Sequence, residues 1–369
     1  MALGTMCILL VKGQNQDVTI NADGTVTPLS APIHQTGNTY TLTADISSPL
    51  IVETNNIVVN GGNHTIKELD QHQNGTAINL IASNVTVKNF FLIKWNIGIY
   101  VIGNNNTITA NEFDNNTQSV VIHGCDCLVN YNVISNSSTA VLMDTGAYRQ
   151  TGDNNLIIQN QIVHNLLAFD TANSNGTTLV TNDVLNNSFI LALSNSTTKT
   201  VLYDNNFINN SEVLDVPNPF PSIVIAPFTP NVVPVSPAGQ WDDGKIGNYW
   251  SNYLTIYPQA SEIDHTGIGN TPYVTNDTMQ YSFSVNSYAI GSKSWAIKGT
   301  AVLAIATDNH PLTAEISIPK INLTAPSTTT SPTIPHYLIF AILAVVVVFV
   351  IAIAFLLLYR KHRKTVVLA

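Results

Sequence analysis

Asn106-Thr107-Ile108-Thr109-Ala110-Asn111-Glu112-Phe113 reads asparagine, apolar, two spacers, asparagine, apolar. Asn155-Leu156-Ile157-Ile158-Gln159-Asn160-Gln161-Ile162 is a second copy, and Cys127-Leu128-Val129-Asn130-Tyr131-Asn132-Val133-Ile134 keeps most of it. The marker asparagines Asn89, Asn111, Asn132, Asn160, Asn182 and Asn205 stand 22, 21, 28, 22 and 23 residues apart. The long step holds polar Asp144 to Asn154, a loop let out of one repeat. A period near 22 with short β-branched runs and no helical spacing predicts an all-β parallel β-helix. A leucine-rich repeat shares the step, but leucine is not the framework residue here. Each coil buries one row of side chains only by stacking on its neighbours, so Ile108 and Leu179 are expected along one buried wall. A stacked asparagine donates its amide to one coil and accepts from the next. Asparagine also tolerates the left-handed backbone of tight corners.

Charged residues make up 10% of the 369-residue chain and the net charge is −9, so no basic stripe exists to bind nucleic acid. Residues 1–13 are apolar and short, as in the remnant of a signal peptide. Residues 14–50 carry the Asp23-Gly24 turn signal and form an N-terminal cap covering the open strand edge. Coils fill 51–215. Seven prolines between Pro217 and Pro237 are expected to interrupt or end the ladder before a Trp- and Tyr-rich cap that closes 216–279. Residues 280–322 read as a small membrane-proximal β module and 323–336 as a Ser/Thr/Pro stalk. Tyr337 to Tyr359 is continuously apolar, long enough for a transmembrane helix across a roughly 30 Å hydrocarbon layer. The basic tail 360–369, with Arg360-Lys361-His362-Arg363-Lys364, then lies in the cytoplasm.

Trp241-Asp242-Asp243-Gly244, Gly247-Asn248-Tyr249-Trp250-Ser251-Asn252-Tyr253 and Asp264-His265-Thr266-Gly267-Ile268-Gly269-Asn270-Thr271-Pro272-Tyr273 follow in order. This succession, after coils of this type, resembles the exported β-helix proteins common in archaea and related to the NosD-like copper-binding family. The resemblance spans roughly residues 15 to 275. It implies a right-handed parallel β-helix that binds or processes carbohydrate, or a periplasmic helper in copper-site maturation. The family's stretch before Gly-Ile-Gly is rich in aspartate, like a calcium loop. Here Glu262, Asp264 and Asn270 are the oxygen ligands left for calcium; a turn fixed by glycines is the alternative. Trp241, Trp250 and Tyr253 offer either a cap over the last coil or an exposed sugar-stacking platform.

His123-Gly124-Cys125-Asp126-Cys127 is the one metal-like cluster. On an extended strand His123, Cys125 and Cys127 share a face, a donor set for copper(I) or zinc; small core thiols are the alternative. The acids Asp114, Asp126, Asp144, Asp153, Asp170, Asp183 and Asp204 are scattered. Asp183 follows its marker Asn182 whereas Asp204 precedes Asn205, so no catalytic pair of carboxylates is expected. Candidate glycosylation sequons lie at Asn63, Asn74, Asn105, Asn115, Asn136, Asn175, Asn186, Asn195, Asn209, Asn276 and Asn322, whereas the Asn84 sequon is expected in a buried turn. The leading expectation is a non-enzymatic, membrane-anchored cell-surface module binding glycans or envelope proteins. A carbohydrate-active lyase or hydrolase and a metal-handling protein are the alternatives.

Overall fold

The computed structural model describes residues 16–68, 75–143, 154–171, 174, 176–192, 200–215, 240–286, 294–319 and 321. A typical coil is Thr107–Thr109, then Glu112–Asp114, then Gln118–Ile122. Each strand pairs in parallel with its equivalent one coil on: Ile108 opposite Val129, Phe113 opposite Ile134, Val120 opposite Val141. Among the described residues this gives three stacked walls, here called leading, middle and trailing, of nine, eight and ten strands, the antiparallel cap strands Ile33–Thr36 and Val26–Thr27 included. The chain is a parallel β-helix.

The strands are only a few residues long because each wall needs one inward residue per coil, flanked by outward ones. Ile108, Val129, Ile157, Leu179 and Leu202 are fully buried and succeed one another along the leading wall. The expected placement of Ile108 and Leu179 is therefore what the fold shows. Phe113, Ile134, Ile162, Val184 and Phe207 do the same in the middle wall. These columns form one continuous core.

The corners divide two jobs that the sequence reading gave to one asparagine. In Asn115-Asn116, Asn186-Asn187 and Asn209-Asn210 the first residue has φ of 56°, 53° and 53°. The second points inward and carries the ladder. Asn132 donates its backbone N–H and its Nδ2 to Asn160 Oδ1 (3.0 Å each), Asn160 does so to Asn182 (3.0 Å each), and Asn182 to Asn205 (2.9 and 3.0 Å). Each Nδ2 also reaches back to a carbonyl of the preceding coil, as Asn132 does to Ile108 O at 2.8 Å. Backbone groups that turn inward at a corner are thereby satisfied away from water. A second ladder runs through Asn165, Asn187 and Asn210. The long step to Asn160 costs the ladder nothing. Asn89 is corrected: it takes the left-handed site, φ 59°, and Phe90 donates to Asn111 instead.

At the N-terminal end Val18–Ile20 pairs with Leu50–Val52 and turns through Asp23-Gly24 onto Val26–Thr27, the expected cap hairpin. At the other end the prolines do not end the ladder. Asn205 donates to Asn248 Oδ1 at 3.2 and 2.9 Å, and Tyr249–Trp250 pairs with Asn206–Phe207, so a further partial coil follows. The segment 280–322 read as a small β module contains strands, and they begin before it. Tyr273–Asn286 and Ser294–Asp308 form an antiparallel ribbon, and the chain then returns to the last coil, with Ile316 N–H bonded to Asn206 Oδ1 at 2.9 Å. Among the described residues no helix is long and apolar enough to cross a membrane. Residues 1–13, the stalk 323–336, the apolar run 337–359 and the basic tail 360–369 lie outside them.

Candidate functional site

His123 follows the trailing strand, buried, with its ring 4.9 Å from that of Tyr100. Cys125 is half-buried and its N–H donates to Asn104 Oδ1 at 2.8 Å. Cys127 is buried in the corner column between Asn106 and Asn155. Asn106 donates its amide to Ala82 O, and Asn155 to Gly124 O. Between them the Cys127 thiol donates to Gly103 O at 3.7 Å. Its sulfur therefore replaces a ladder amide. Burial is the main cause that pushes this thiol up to about 11, far from the thiolate that binds copper or zinc. Among the described residues no group of three or more His, Cys, Asp or Glu could hold a metal. The donor set at 123–127 does not fit a copper ion.

Three of the seven coil acids, Asp114, Asp183 and Asp204, are tied down by hydrogen bonds from a neighbouring coil, and Asp144 and Asp153 lie outside the described residues. Asp114 Oδ1 accepts from Asn136 Nδ2 at 2.7 Å and Ser135 Oγ at 3.2 Å. Asp183 Oδ1 accepts from Asn206 Nδ2 at 2.7 Å, on the middle wall. Asp204 sits at a corner, φ 53°, and accepts from Thr181 Oγ1 at 3.3 Å; burial pushes its carboxyl up. Asp183 and Asp204 thus occupy different positions of the coil, as their phase implied. Glu112 and Asp114 share the outward face of one strand, and burial, then Asp114, raises Glu112.

The end of the helix carries a cluster of packed aromatic rings and buried polar groups. Trp241, Trp250 and Tyr253 are 1%, 3% and 1% exposed. Trp250 stacks on Tyr273 at 4.1 Å and meets Phe207 at 4.7 Å. Of the two readings, the structure shows the cap and not an exposed stacking platform: the rings continue the core columns and close the last coil. Beneath them Asp308, buried, takes Trp250 Nε1 at 2.9 Å, Asn248 N–H at 2.7 Å and His310 N–H at 3.0 Å. Burial, against those donors, pushes its carboxyl up to about 6. Gly247 must be glycine because a Cβ there would collide with the Asp308 carboxylate.

Asp242 sits beside this cluster and behaves oppositely. Burial raises it, but Asn309 N–H and Nδ2 (3.0 Å each), Gly244 N–H (2.8 Å) and nearby His310 outweigh that and lower it. His310 Nδ1 lies 3.4 Å from Asp242 Oδ1, near enough for charge attraction but without a hydrogen bond. Sequence reasoning missed Asp308 and Asp242. Asn248 carried a signal: with Trp250 two places on it repeats the spacing of Asn111 and Phe113.

The calcium ligands close their own turn. Glu262 Oε1 accepts from Gly267 N–H at 2.6 Å, and Asn270 Oδ1 from Ser261 N–H at 3.0 Å. Exposed Asp264 sits at the tip, φ 45°. The structure therefore spends the oxygens of Glu262 and Asn270 on the turn. Among the sequons, Asn105, Asn115, Asn136, Asn186 and Asn209 are exposed left-handed corners, and Asn63 is half-buried. Asn84 is corrected: it is exposed, not buried. Asn74, Asn175, Asn195 and Asn322 lie outside the described residues, as does the side chain of Asn276.

A family model described as periplasmic copper-binding protein, NosD, matches residues 32–255, well over half of the chain. No curated protein matches it. The match starts just before the antiparallel hairpin of Ile33–Thr36 and Thr39–Leu42 and ends within the helical turn Tyr253–Ile256.

Proposed function

The chain belongs to the NosD family, and from that premise we propose that it is an exported, non-enzymatic envelope module that binds neutral glycans or neighbouring surface proteins along its walls. The observation that carries this is the fate of the wall acids. Asp114, Asp183 and Asp204 each accept bonds from a neighbouring coil. Glycosidic cleavage asks for an acid and a second carboxylate facing each other across the substrate. Glu112 and Asp114 instead lie side by side on one strand.

What the walls offer is repetition. Half-buried Thr86 and Thr107 stand in register on the outer leading wall, and half-buried Gln161 and Asp183 on the outer middle wall. Parallel strands repeat such groups about every 4.8 Å, which suits many weak neutral hydrogen bonds. Anchoring through 337–359, with the basic 360–364 inside, would raise their effective concentration. A glycan array and reducing-end release from uronate and neutral polysaccharides, both with the full-length protein, test this. Retention of a glycan class or an envelope protein without product is the expected result; released ends overturn it. Protease added to intact cells should remove the coils and spare the Arg360 tail.

A further inference from the structure

We infer that the edge between the middle and trailing walls is a modification edge, on which Asn115 and one of the two neighbours Asn186 and Asn209 carry an N-linked oligosaccharide. One residue per coil stands at the crest of this corner. In chain order they are Lys94, Asn115, Asn136, His164, Asn186 and Asn209, each the residue that follows a strand of the middle wall. All are exposed, with φ between 53° and 64°. The next residue turns inward to the core. Behind the four asparagines, the third place holds Thr117, Ser138, Ser188 and Ser211. Asparagine, any residue, then Ser or Thr is the acceptor pattern for N-glycosylation of an exported surface.

The fold itself asks for neither end of this pattern. The corner between the leading and middle walls has the same backbone, φ 53–57°, at Ala110, Tyr131, Gln159, Thr181 and Asp204. A left-handed corner therefore does not dictate asparagine. At the third place Leu166 N–H bonds to Ser137 O at 3.0 Å, as Ser188 N–H does to Asn165 O at 3.0 Å. The backbone bond forms with or without a hydroxyl. Among the described residues the hydroxyls of Thr117, Ser138, Ser188 and Ser211 make no hydrogen bond. The asparagines differ in one respect. The amides of Asn115, Asn186 and Asn209 are exposed and unbonded among the described residues, whereas Asn136 Nδ2 is held by Asp114 Oδ1 at 2.7 Å. Transfer needs a free Nδ2. The nitrogen attacks C1 of an oligosaccharide carried on a lipid phosphate, the C1–O bond breaks, the lipid phosphate leaves with the electron pair and Nδ2 gives up one proton. Asn186 and Asn209 are one coil apart, about 4.8 Å, too close for two oligosaccharides. Asn115 and Asn186 are three coils apart, about 14 Å, and both can be occupied. Sugars on this edge leave the leading wall, on the opposite side of each coil, open to a partner. The inference shares only export with the proposed binding module.

The test uses full-length protein purified in detergent from the cells that produce it. Cleavage after glutamate releases residues 113–212 in one piece, so fragmentation mass spectrometry reads all four sites on a single chain. Sugar on Asn115, none on Asn136 and sugar on one but never both of Asn186 and Asn209 are expected. Thr117→Ala should lose the Asn115 sugar with the fold retained. Ser188→Ala and Ser211→Ala should each confine the sugar of the close pair to the remaining site. A bare Asn115 or a bare close pair overturns the inference. So does equal occupancy of Asn115 and Asn136, or sugar on Asn186 and Asn209 together. If external protease removes the coils from intact cells and the four asparagines are bare, the inference falls and the exported module stands. Bare asparagines on coils that the protease cannot reach defeat both.

Discussion

Asn248 donates its backbone N–H to Asp308 Oδ2 at 2.7 Å across 60 residues of sequence, placing a carboxylate where the next coil's asparagine oxygen would stand. Every earlier rung passes its donors forward to such an oxygen. The last one has no following coil, and the chain returns from the ribbon to supply the acceptor. Buried donors left at the end of the ladder would each cost about 1–3 kcal/mol.

Asp308→Ala orphans the N–H groups of Trp250, Asn248 and His310. Destabilisation of about 3 kcal/mol or more is expected. Asp308→Asn restores the rung's own chemistry and should cost less than half of that. Chemical denaturation of the two variants checks the order; equal losses would mean that the site is only packing.

The Asp308 carboxyl is raised from 3.8 to about 6, chiefly by burial. The sign follows: the folded state holds this proton more tightly than the unfolded chain. The group's contribution is greatest below about pH 4 and declines as pH rises towards 6, by on the order of 2–3 kcal/mol. Asp242, lowered in the fold, works in the other direction and loses its contribution as pH falls. Melting at pH 4.5 and 7.5 separates them. Asp308→Asn should compare more favourably with the parent at 7.5 than at 4.5; an equal gap at both would remove burial as the cause.

Much of this was legible because stacking makes the sequence repeat what the structure repeats. The Asn-Asn pairs and the step near 22 carry both the corner backbone and the ladder. What was not legible is what happens once. Asp308 lies in no repeat, and its role depends on a ribbon whose return no local pattern records. The prolines left interruption and ending undecided for a related reason: Asn248 resumes the register whatever lies between it and Asn205. Trp250 and Tyr253 look alike in sequence whether their faces meet solvent or the last coil, and only Phe207 beneath them decides it.

Asn186 and Asn187 are neighbours with different tasks. Asn186→Gly keeps a left-handed corner that glycine adopts freely, so a change within about 1 kcal/mol is expected. Asn187→Ala removes the acceptor of Asn165 N–H and Nδ2, at 2.8 and 3.1 Å, and should cost about 2–4 kcal/mol. Urea midpoints at matched slope compare them directly. A larger loss at 186 than at 187 would reverse the assignment.

Ile108 is fully buried between Val87 and Val129. Ile108→Asp places an unpaired carboxylate in the core at a cost of several kcal/mol, a large part of any domain's stability. Loss of protease resistance in the neighbouring coils is the expected outcome. A variant that melts like the parent would contradict the register.

Cys127 tests the column in the opposite direction. Its thiol makes the bond that Asn106 and Asn155 make with amides, one coil either side. An amide is the stronger donor, and the column accommodates it at both neighbouring positions. Cys127→Asn should therefore fold normally and match or exceed the parent by up to about 1 kcal/mol, while Cys127→Ala loses the donor and leaves a small cavity for about 1–2 kcal/mol. With its thiol near 11, about one molecule in a thousand carries the thiolate at pH 8, and burial shields it further. Iodoacetamide followed by peptide mass mapping should label half-buried Cys125 well before Cys127, with Cys127 reacting only on unfolding. If Cys127 alkylates in the native protein, or copper(I) raises the melting temperature of the parent but not of Cys127→Ala, the sulfur is a ligand and not a rung.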